Sequence, residues 1–312
     1  MATVEPMASE GTPQLPQVWT LESFLPEYEK KYLRRHEAFK SGKPLGPTTP
    51  FKALNKSLRG YFCPGFHIVH GAPGTGKTAF CLQIAAQCQC PSVFVSVEMD
   101  IDPIVERIVA RTSGTFLDAI GRGDMLPSDV MALIRGGFEA SPGLLLADAK
   151  RTPAPAQWVA ETAEGWRDHH KAEHILIVID SLHAWTTSLS SNFSGDMSER
   201  DRINQVLAWI GEITSHLSCA VLFIAHRNRS DRKGGGMASV LGSGQIEYLA
   251  ENMISLEKSD GDSGSRYLKD ITVKVDKSRH GPEGEDIILN FDGRIQEFTV
   301  RPMDANADDS DG

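Results

Sequence analysis

The 312-residue chain has few cysteines and no long apolar run. Its five cysteines form no C-x-x-C pair and no cluster with histidine, so their spacing predicts reduced thiols and no zinc site. Cys81 and Cys219 stand in apolar stretches, and Cys88-Gln89-Cys90 is predicted to mark a helix end. A run of about 18 apolar residues, the length of a transmembrane helix, is missing, and residues 1–17 lack the pattern of a secretory signal. These absences favour a cytoplasmic protein.

The chain also has fewer basic than acidic residues. The chain carries 32 Lys and Arg residues against 41 Asp and Glu residues, which makes a formal net charge of −9. This balance argues against a protein that coats nucleic acid with its whole surface, yet it permits a local basic channel. The hydrophobic share of 40% is ordinary for a globular protein, so we expect a core of normal size.

The chain does contain a phosphate-binding P-loop, G-x-x-x-x-G-K-[ST]. The predicted nucleotide-binding residues are Gly71, Ala72, Pro73, Gly74, Thr75, Gly76, Lys77, Thr78 and Ala79. A short apolar strand precedes the loop and a helix follows it, so backbone N–H groups and the helix N-terminus should face the phosphates. We expect Lys77 at the β- and γ-phosphates and Thr78 at Mg²⁺. The sequence has no guanine-selective N-K-x-D string, which favours ATP over GTP.

Two acidic residues follow apolar runs that predict strands. The run before Asp180 is apolar throughout, as in a central parallel strand that is buried on both faces. Asp180 at its end is predicted to hold Mg²⁺ beside the P-loop. Glu98 follows the run 92–97, which we expect to be a strand beside the P-loop strand, and it is the predicted base for the attacking water. Ser181-Leu182, which follows Asp180, supplies no second acid. This absence favours Glu98 as the base over the alternative that Glu98 is only a solvated carboxylate at a strand end.

A third strand end and the loop after it carry further polar residues. The apolar run 220–225 ends in His226, which could contact the γ-phosphate and sense hydrolysis, or could simply cap the strand. The loop that follows is basic and rich in glycine, so it is predicted to bind the backbone of single-stranded DNA, with a solvated surface loop as the alternative. Its predicted DNA contacts are Arg227, Arg229, Arg232 and Lys233.

Charge that develops on a transferring phosphoryl group is commonly neutralised by an arginine. No arginine stands beside the P-loop, Glu98 or Asp180 along the sequence, whereas Arg279 follows a predicted strand far downstream. The motifs by themselves leave open which arginine neutralises this charge.

Four segments are predicted along the chain. Residues 1–17 and 303–312 have compositions typical of disorder, residues 18–47 should form a helix and linker, and residues 48–302 should form the ATPase domain. Thr20 is the predicted cap of the N-terminal helix. This amphipathic helix could pack on its own domain or dock on a neighbouring subunit, and the sequence leaves both open.

Taken in order, these motifs resemble the RecA-like motor domain of DnaB-type hexameric helicases, including plasmid RepA-like forms, and more distantly RadA- and KaiC-like ATPases. The resemblance covers roughly residues 48–300. The matching segments are Phe51-Lys52-Ala53-Leu54-Asn55, the P-loop, Ser96-Val97-Glu98-Met99, Ile179-Asp180-Ser181-Leu182, His226-Arg227-Asn228-Arg229, Gly242-Ser243-Gly244-Gln245-Ile246-Glu247 and Lys277-Ser278-Arg279-His280-Gly281-Pro282. His226 stands where DnaB-type proteins have glutamine, and the sequence is expected to lack the helical N-terminal domain of full replicative helicases.

The resemblance implies an α/β fold, the RecA-like P-loop NTPase, with a mostly parallel twisted sheet, helices on both faces and a C-terminal β-hairpin. It implies ATP and Mg²⁺ as cofactors, a homo-oligomer that is typically a hexameric ring, and Lys277 and Arg279 at the γ-phosphate of the adjacent subunit. The implied function is an ATP-hydrolysing motor on single-stranded DNA, a DnaB/RepA-type helicase that works with replication or repair proteins. The alternatives are a RecA/RadA-like recombination or repair ATPase without unwinding activity and a nucleotide-gated protein-assembly ATPase.

Overall fold

The computed structural model describes five stretches of the chain. They are residues 18–189, 197–226, 244–259, 267–281 and 284–301. The chain divides into two compact units, Met1–Lys43 and Pro44–Gly312. Within the described stretches, every helix is too short or too polar to cross a membrane.

The first unit contains helix α1 (Leu21–Ser41). The Thr20 hydroxyl accepts a hydrogen bond from the Ser23 backbone N–H at 3.0 Å, and Ser23 caps Thr20 in return, which confirms the predicted N-cap. The helix ends at Gly42, whose left-handed conformation closes the last turn. None of the α1 residues is buried.

The second unit is organised around one sheet. Its strands are β1 (Gly65–Gly71), β2 (Ser92–Ser96), β3 (Leu144–Asp148), β4 (Leu176–Asp180), β5 (Ala220–His226), β6 (Asn252–Lys258), β7 (Leu268–Ser278), β8 (Ile287–Asp292) and β9 (Glu297–Val300). They lie in the order β3-β2-β4-β5-β1-β6-β7-β8-β9. The pairs from β3 to β6 are parallel and the pairs from β6 to β9 are antiparallel. The sheet is thus mostly parallel, as predicted, and the predicted C-terminal hairpin is β8 with β9.

Helices cover both faces of this sheet, again as predicted. They are α2 (Lys52–Ser57), α3 (Lys77–Gln87), α4 (Ile101–Ser113), α5 (Leu117–Arg122), α6 (Pro127–Glu139), α7 (Ala156–His169), α8 (Leu182–Ser188), α9 (Glu199–Leu217) and α10 (Gly244–Leu249). Ile177 and Ile179 of β4 point into the core under α7 and α9, whereas Leu176 and Val178 point into the core under α3 and α4. Two buried faces explain why the run before Asp180 is apolar at every position.

The position expected for one strand was wrong. β2 pairs with β3 and β4, and both β4 and β5 lie between it and β1. Glu98 nevertheless lies beside Asp180 at the end of β4, because the Asp180 carbonyl accepts hydrogen bonds from the Val97 and Glu98 N–H groups at 2.8 and 3.3 Å. The apolar pattern of a strand indicates that the strand is buried, but it does not indicate which strand is its neighbour. The neighbour of β2 was therefore predicted wrongly from the sequence.

Candidate nucleotide-binding site

The P-loop connects β1 to α3, so the predicted strand and helix on either side of it are confirmed. Gly76 caps α3 with φ at +85°, in the left-handed region that favours glycine. The buried Thr75 hydroxyl donates to the Ala72 carbonyl at 3.0 Å and closes the loop on itself. The first N–H groups of α3 have no partners within the helix and lie at the loop, which is the geometry of an anion site.

Lys77 is held inside this loop. Its side chain is buried, and its Nζ donates to the Gly71 carbonyl at 2.9 Å and to the Ala72 carbonyl at 3.2 Å. Burial lowers the pKa of Lys77, while the negative charges of Asp180 and Glu98 oppose that change. The ammonium therefore lies where phosphate oxygens could replace the two carbonyls as its acceptors.

Thr78 and Asp180 meet although 102 positions separate them in the sequence. The Thr78 hydroxyl donates to Asp180 Oδ2 at 2.8 Å, and Asp180 is buried at the end of β4. A hydroxyl and a carboxylate side by side are the oxygen ligands that Mg²⁺ takes, directly or through water. These two residues fit the magnesium position predicted from the sequence.

Glu98 lies next to this pair and its side chain is exposed. The Ser181 hydroxyl donates to Glu98 Oε1, so the residue after Asp180 orients the predicted base. Ser181 is also the N-cap of α8, where its Oγ accepts from the Ala184 N–H at 3.5 Å. In the sequence Ser181 is notable only because it is not acidic, and its contact with Glu98 appears only in the folded chain.

Arg107 is a second residue of the site that the sequence motifs did not identify. No arginine is adjacent to the motifs along the chain, but in space Arg107 of α4 lies close enough to Asp180 for their charges to attract. Burial lowers the pKa of Arg107, and the attraction to Asp180 opposes this shift. The signal available in the sequence is the apolar spacing of residues 101–112, which is typical of a helix and begins only a few residues after Glu98.

The structure describes the backbone of His226 but not the basic loop after it. In the parallel pairing of β1 with β5, His226 lies opposite Gly71, the first residue of the P-loop. The predicted sensor thus stands at the strand end beside the phosphate-binding loop. The predicted DNA contacts lie outside the described residues: Arg227, Arg229, Arg232 and Lys233.

Lys277 and Arg279 come together at the C-terminal end of α10. Lys277 Nζ donates to the carbonyl of Glu247 and, at 3.0 Å, to that of Tyr248; Arg279 Nη2 donates to the Tyr248 carbonyl at 2.7 Å. The partial negative charge of a helix C-terminus suits both cations. The Arg279 side chain is 43% exposed and also faces Glu251, with 3.7 Å between Nε and Oε1. In the described chain these cations contact α10 and Glu251 rather than the P-loop.

The profile of the family described as DnaB-like helicase C terminal domain matches residues 46–300. The chain belongs to this DnaB-like family. It is similar to a probable plasmid replicative DNA helicase of Chlamydia trachomatis, with 25% identity over an alignment of 245 residues and coverage of 75% of this chain and 50% of the relative. It is also similar to the replicative DNA helicase DnaB of Haemophilus influenzae, with 24% identity over 266 residues, 81% of this chain and 55% of the relative. The chain thus spans about half the length of these relatives.

Solved structures place the DnaB-like chain in the same fold. A DnaB-like replicative helicase, solved in a study of its interactions with primase, is similar with a TM-score of 0.70, 19% identity, and coverage of 87% of this chain and 66% of that one. A separately solved ATPase domain is similar with a TM-score of 0.73, 18% identity, and coverage of 88% of this chain and 98% of that one. The predicted RecA-like α/β fold and the resemblance to DnaB-type proteins are therefore confirmed. In this sheet β5 lies between β1 and β4, so His226 at the end of β5 stands beside the nucleotide site.

Proposed function

We propose that this DnaB-like domain is an ATP-hydrolysing, Mg²⁺-dependent motor on single-stranded DNA and that it works as a DNA helicase. The observation that carries the proposal is the convergence of three distant segments at one sheet edge. Thr78 of the P-loop contacts Asp180 at the end of β4, and Glu98 after β2 contacts Ser181. Relatives that bear the names of replicative helicases support the helicase assignment.

Each residue at this edge has a task in hydrolysis. The P-loop N–H groups and Lys77 bind the β- and γ-phosphates, and Thr78 and Asp180 supply oxygen ligands for Mg²⁺. The ion, when bound, neutralises charge on the phosphate oxygens. Glu98 orients the attacking water and accepts its proton, and Ser181 holds the Glu98 carboxylate in place.

The site is completed by a neighbouring subunit in this proposal. The roles of Arg279 and Lys277 at the γ-phosphate of the next copy are supported by the resemblance to DnaB-type proteins. The two side chains lie together at the end of α10, and Arg279 is partly exposed. The working form is accordingly a homo-oligomer, a hexameric ring as in DnaB-type helicases. Arg227, Arg229, Arg232 and Lys233 bind single-stranded DNA, and His226 reports the state of the γ-phosphate to them.

The test is the ATPase rate with and without single-stranded DNA, followed by strand separation on a forked duplex. We expect DNA to stimulate hydrolysis and the protein to unwind the fork. Lys77→Ala is the control, because a folded variant without this charge should neither hydrolyse ATP nor unwind. Stimulation without unwinding would indicate a recombination or repair ATPase, and hydrolysis indifferent to DNA would indicate a protein-assembly ATPase.

A further inference from the structure

Three potential metal ligands converge away from the nucleotide site. Cys63 precedes β1, Glu251 lies between α10 and β6, and His280 follows β7. One ligand atom from each lies within 4.8 Å of the other two. We propose that Cys63, Glu251 and His280 form a binding site for a divalent transition-metal ion of the zinc type.

Backbone hydrogen bonds hold the segments of the three ligands together. The Glu251 N–H donates to the Phe66 carbonyl at 2.8 Å, and the Arg279 N–H donates to the Glu251 carbonyl at 2.9 Å. The Cys63 carbonyl lies 2.8 Å from Nε2 of the buried His67, which fixes the chain just before β1. Ligands carried by a rigid framework need little reorganisation when an ion binds.

The two oxygens of Glu251 have different surroundings. Oε1 lies 3.7 Å from Arg279 Nε, whereas Oε2 lies 3.1 Å from His280 Nε2. Oε2 is buried, and its close contact with His280 lacks the alignment of a hydrogen bond. A nitrogen and a carboxylate oxygen that lie this close without an aligned hydrogen bond are arranged as two ligands of one bound ion would be. Oε2 would then ligate the ion, while the Arg279 guanidinium orients the carboxylate through Oε1.

Gly65 leaves room for this carboxylate. A Cβ atom at position 65 would lie 2.6 Å from Glu251 Cγ, and φ of +130° also disfavours other residues there. The Glu251 side chain therefore passes over a position that only glycine leaves open. This contact directs the carboxylate toward Cys63 and His280.

The ligand types select the class of ion. A thiolate, an imidazole and a carboxylate together suit Zn²⁺ or Co²⁺ and leave one position for water. Ligand atoms around zinc lie roughly 3–4 Å apart, so the cluster must contract slightly, and His280, which is 59% exposed, has the freedom to turn inward. The ion must also displace a proton, because burial and Glu251 raise the pKa of Cys63 to about 11.

The experiment titrates the reduced full chain with Co²⁺, whose thiolate charge-transfer band and ligand-field bands report tetrahedral coordination. We expect saturation near one equivalent and displacement of the spectrum by Zn²⁺. Cys63→Ser should abolish the charge-transfer band, and His280→Ala should weaken binding on the order of 10-fold or more. Cys90→Ser and His216→Ala are matched controls with a thiol and an exposed imidazole elsewhere, and both should titrate like the wild type.

Two results would overturn the proposal: a wild-type chain without a saturable band, or a band that survives Cys63→Ser or disappears in Cys90→Ser. Circular dichroism and thermal melting show whether each variant is folded. His280→Ala keeps the test decisive even if Cys63→Ser unfolds, because the exposed imidazole contributes little to packing. The spectrum is read without nucleotide, so the result is independent of ATPase activity.

Discussion

At the scale of single residues, the chemistry of the proposed ATPase depends on Glu98, whose carboxylate accepts a hydrogen bond from the Ser181 hydroxyl. Glu98→Gln keeps the size of the side chain and its capacity to accept from Ser181, but it removes the base. We expect turnover to fall on the order of 10²-fold or more while the affinity for ATP is retained. Single-turnover hydrolysis and nucleotide-binding titrations measure the two quantities separately.

Glu139→Gln is the matched control for this variant, because Glu139 is exposed at the end of α6 and should be neutral. Normal turnover in Glu98→Gln would show that another residue is the base.

The P-loop residues were predictable at this scale because their motif is local. Ser181 and Arg107 were not, since the hydrogen bond of Ser181 with Glu98 and the electrostatic attraction between Arg107 and Asp180 depend on how distant segments pack.

At the scale of elements, the P-loop packs against the β8–β9 hairpin through Gly76. A Cβ at Gly76 would lie 2.9 Å from Phe298 Cζ and 3.1 Å from Phe291 Cε1, whereas a Cβ at Gly74 would meet nothing within 4 Å. Both glycines have positive φ, so alanine is strained by about 1–2 kcal/mol at each. We expect Gly76→Ala to lose about 1–3 kcal/mol more stability than Gly74→Ala because it also overpacks the contact with the hairpin.

Urea unfolding of the two variants without nucleotide measures this difference, and the Gly74→Ala variant isolates the backbone strain. Equal losses in the free energy of unfolding would show that the hairpin shifts to accommodate the added methyl group.

The strands and most helices were predictable at this scale because their apolar periodicity is clear. Helices α2, α5 and α8 were not predicted, since six or seven residues are too few to show a helical period.

The loop after β5 is the second element with a measurable prediction. Replacing Arg229, Arg232 and Lys233 by alanine should weaken binding to single-stranded DNA and flatten its salt dependence by about 0.7 in log–log slope per lost phosphate contact. ATP hydrolysis without DNA should change little. Fluorescence anisotropy over a range of salt concentrations measures the slope.

The control for the loop variant removes the same charge from another exposed surface. It replaces Lys52, Lys56 and Arg59, which are exposed in and after α2. If both triple variants lose the same affinity, the effect comes from net charge and the loop is not the binding element.

At the scale of the whole molecule, the proposed active site is shared between two copies. Arg279→Ala and Glu98→Gln should each be inactive alone, since an arginine finger contributes about 10³-fold or more to the rate. Mixed together, they can form interfaces with Glu98 from one copy and Arg279 from the other. We expect the mixture to regain measurable ATPase activity.

The mixing experiment requires that subunits exchange, which a fluorescence-transfer assay between labelled copies verifies. Activity of the wild type should also rise with protein concentration as the oligomer assembles. A monomeric wild type with full activity at every dilution would rule out the shared site. In that case Arg107, which already lies near Asp180, becomes the candidate to neutralise the phosphoryl charge.

The local features of this protein could be read from the chain: the P-loop, the strands that end in acids, and the order of motifs that matches the DnaB-like family. Which strands are neighbours became evident only in the folded domain, where β2 lies next to β4 instead of β1. The fold also brought Cys63, Glu251 and His280 together, although the spacing of the cysteines had predicted no zinc site. The physical reason is that periodicity reports burial within one element, whereas convergence depends on the crossovers that join elements, and sequence spacing does not encode those distances.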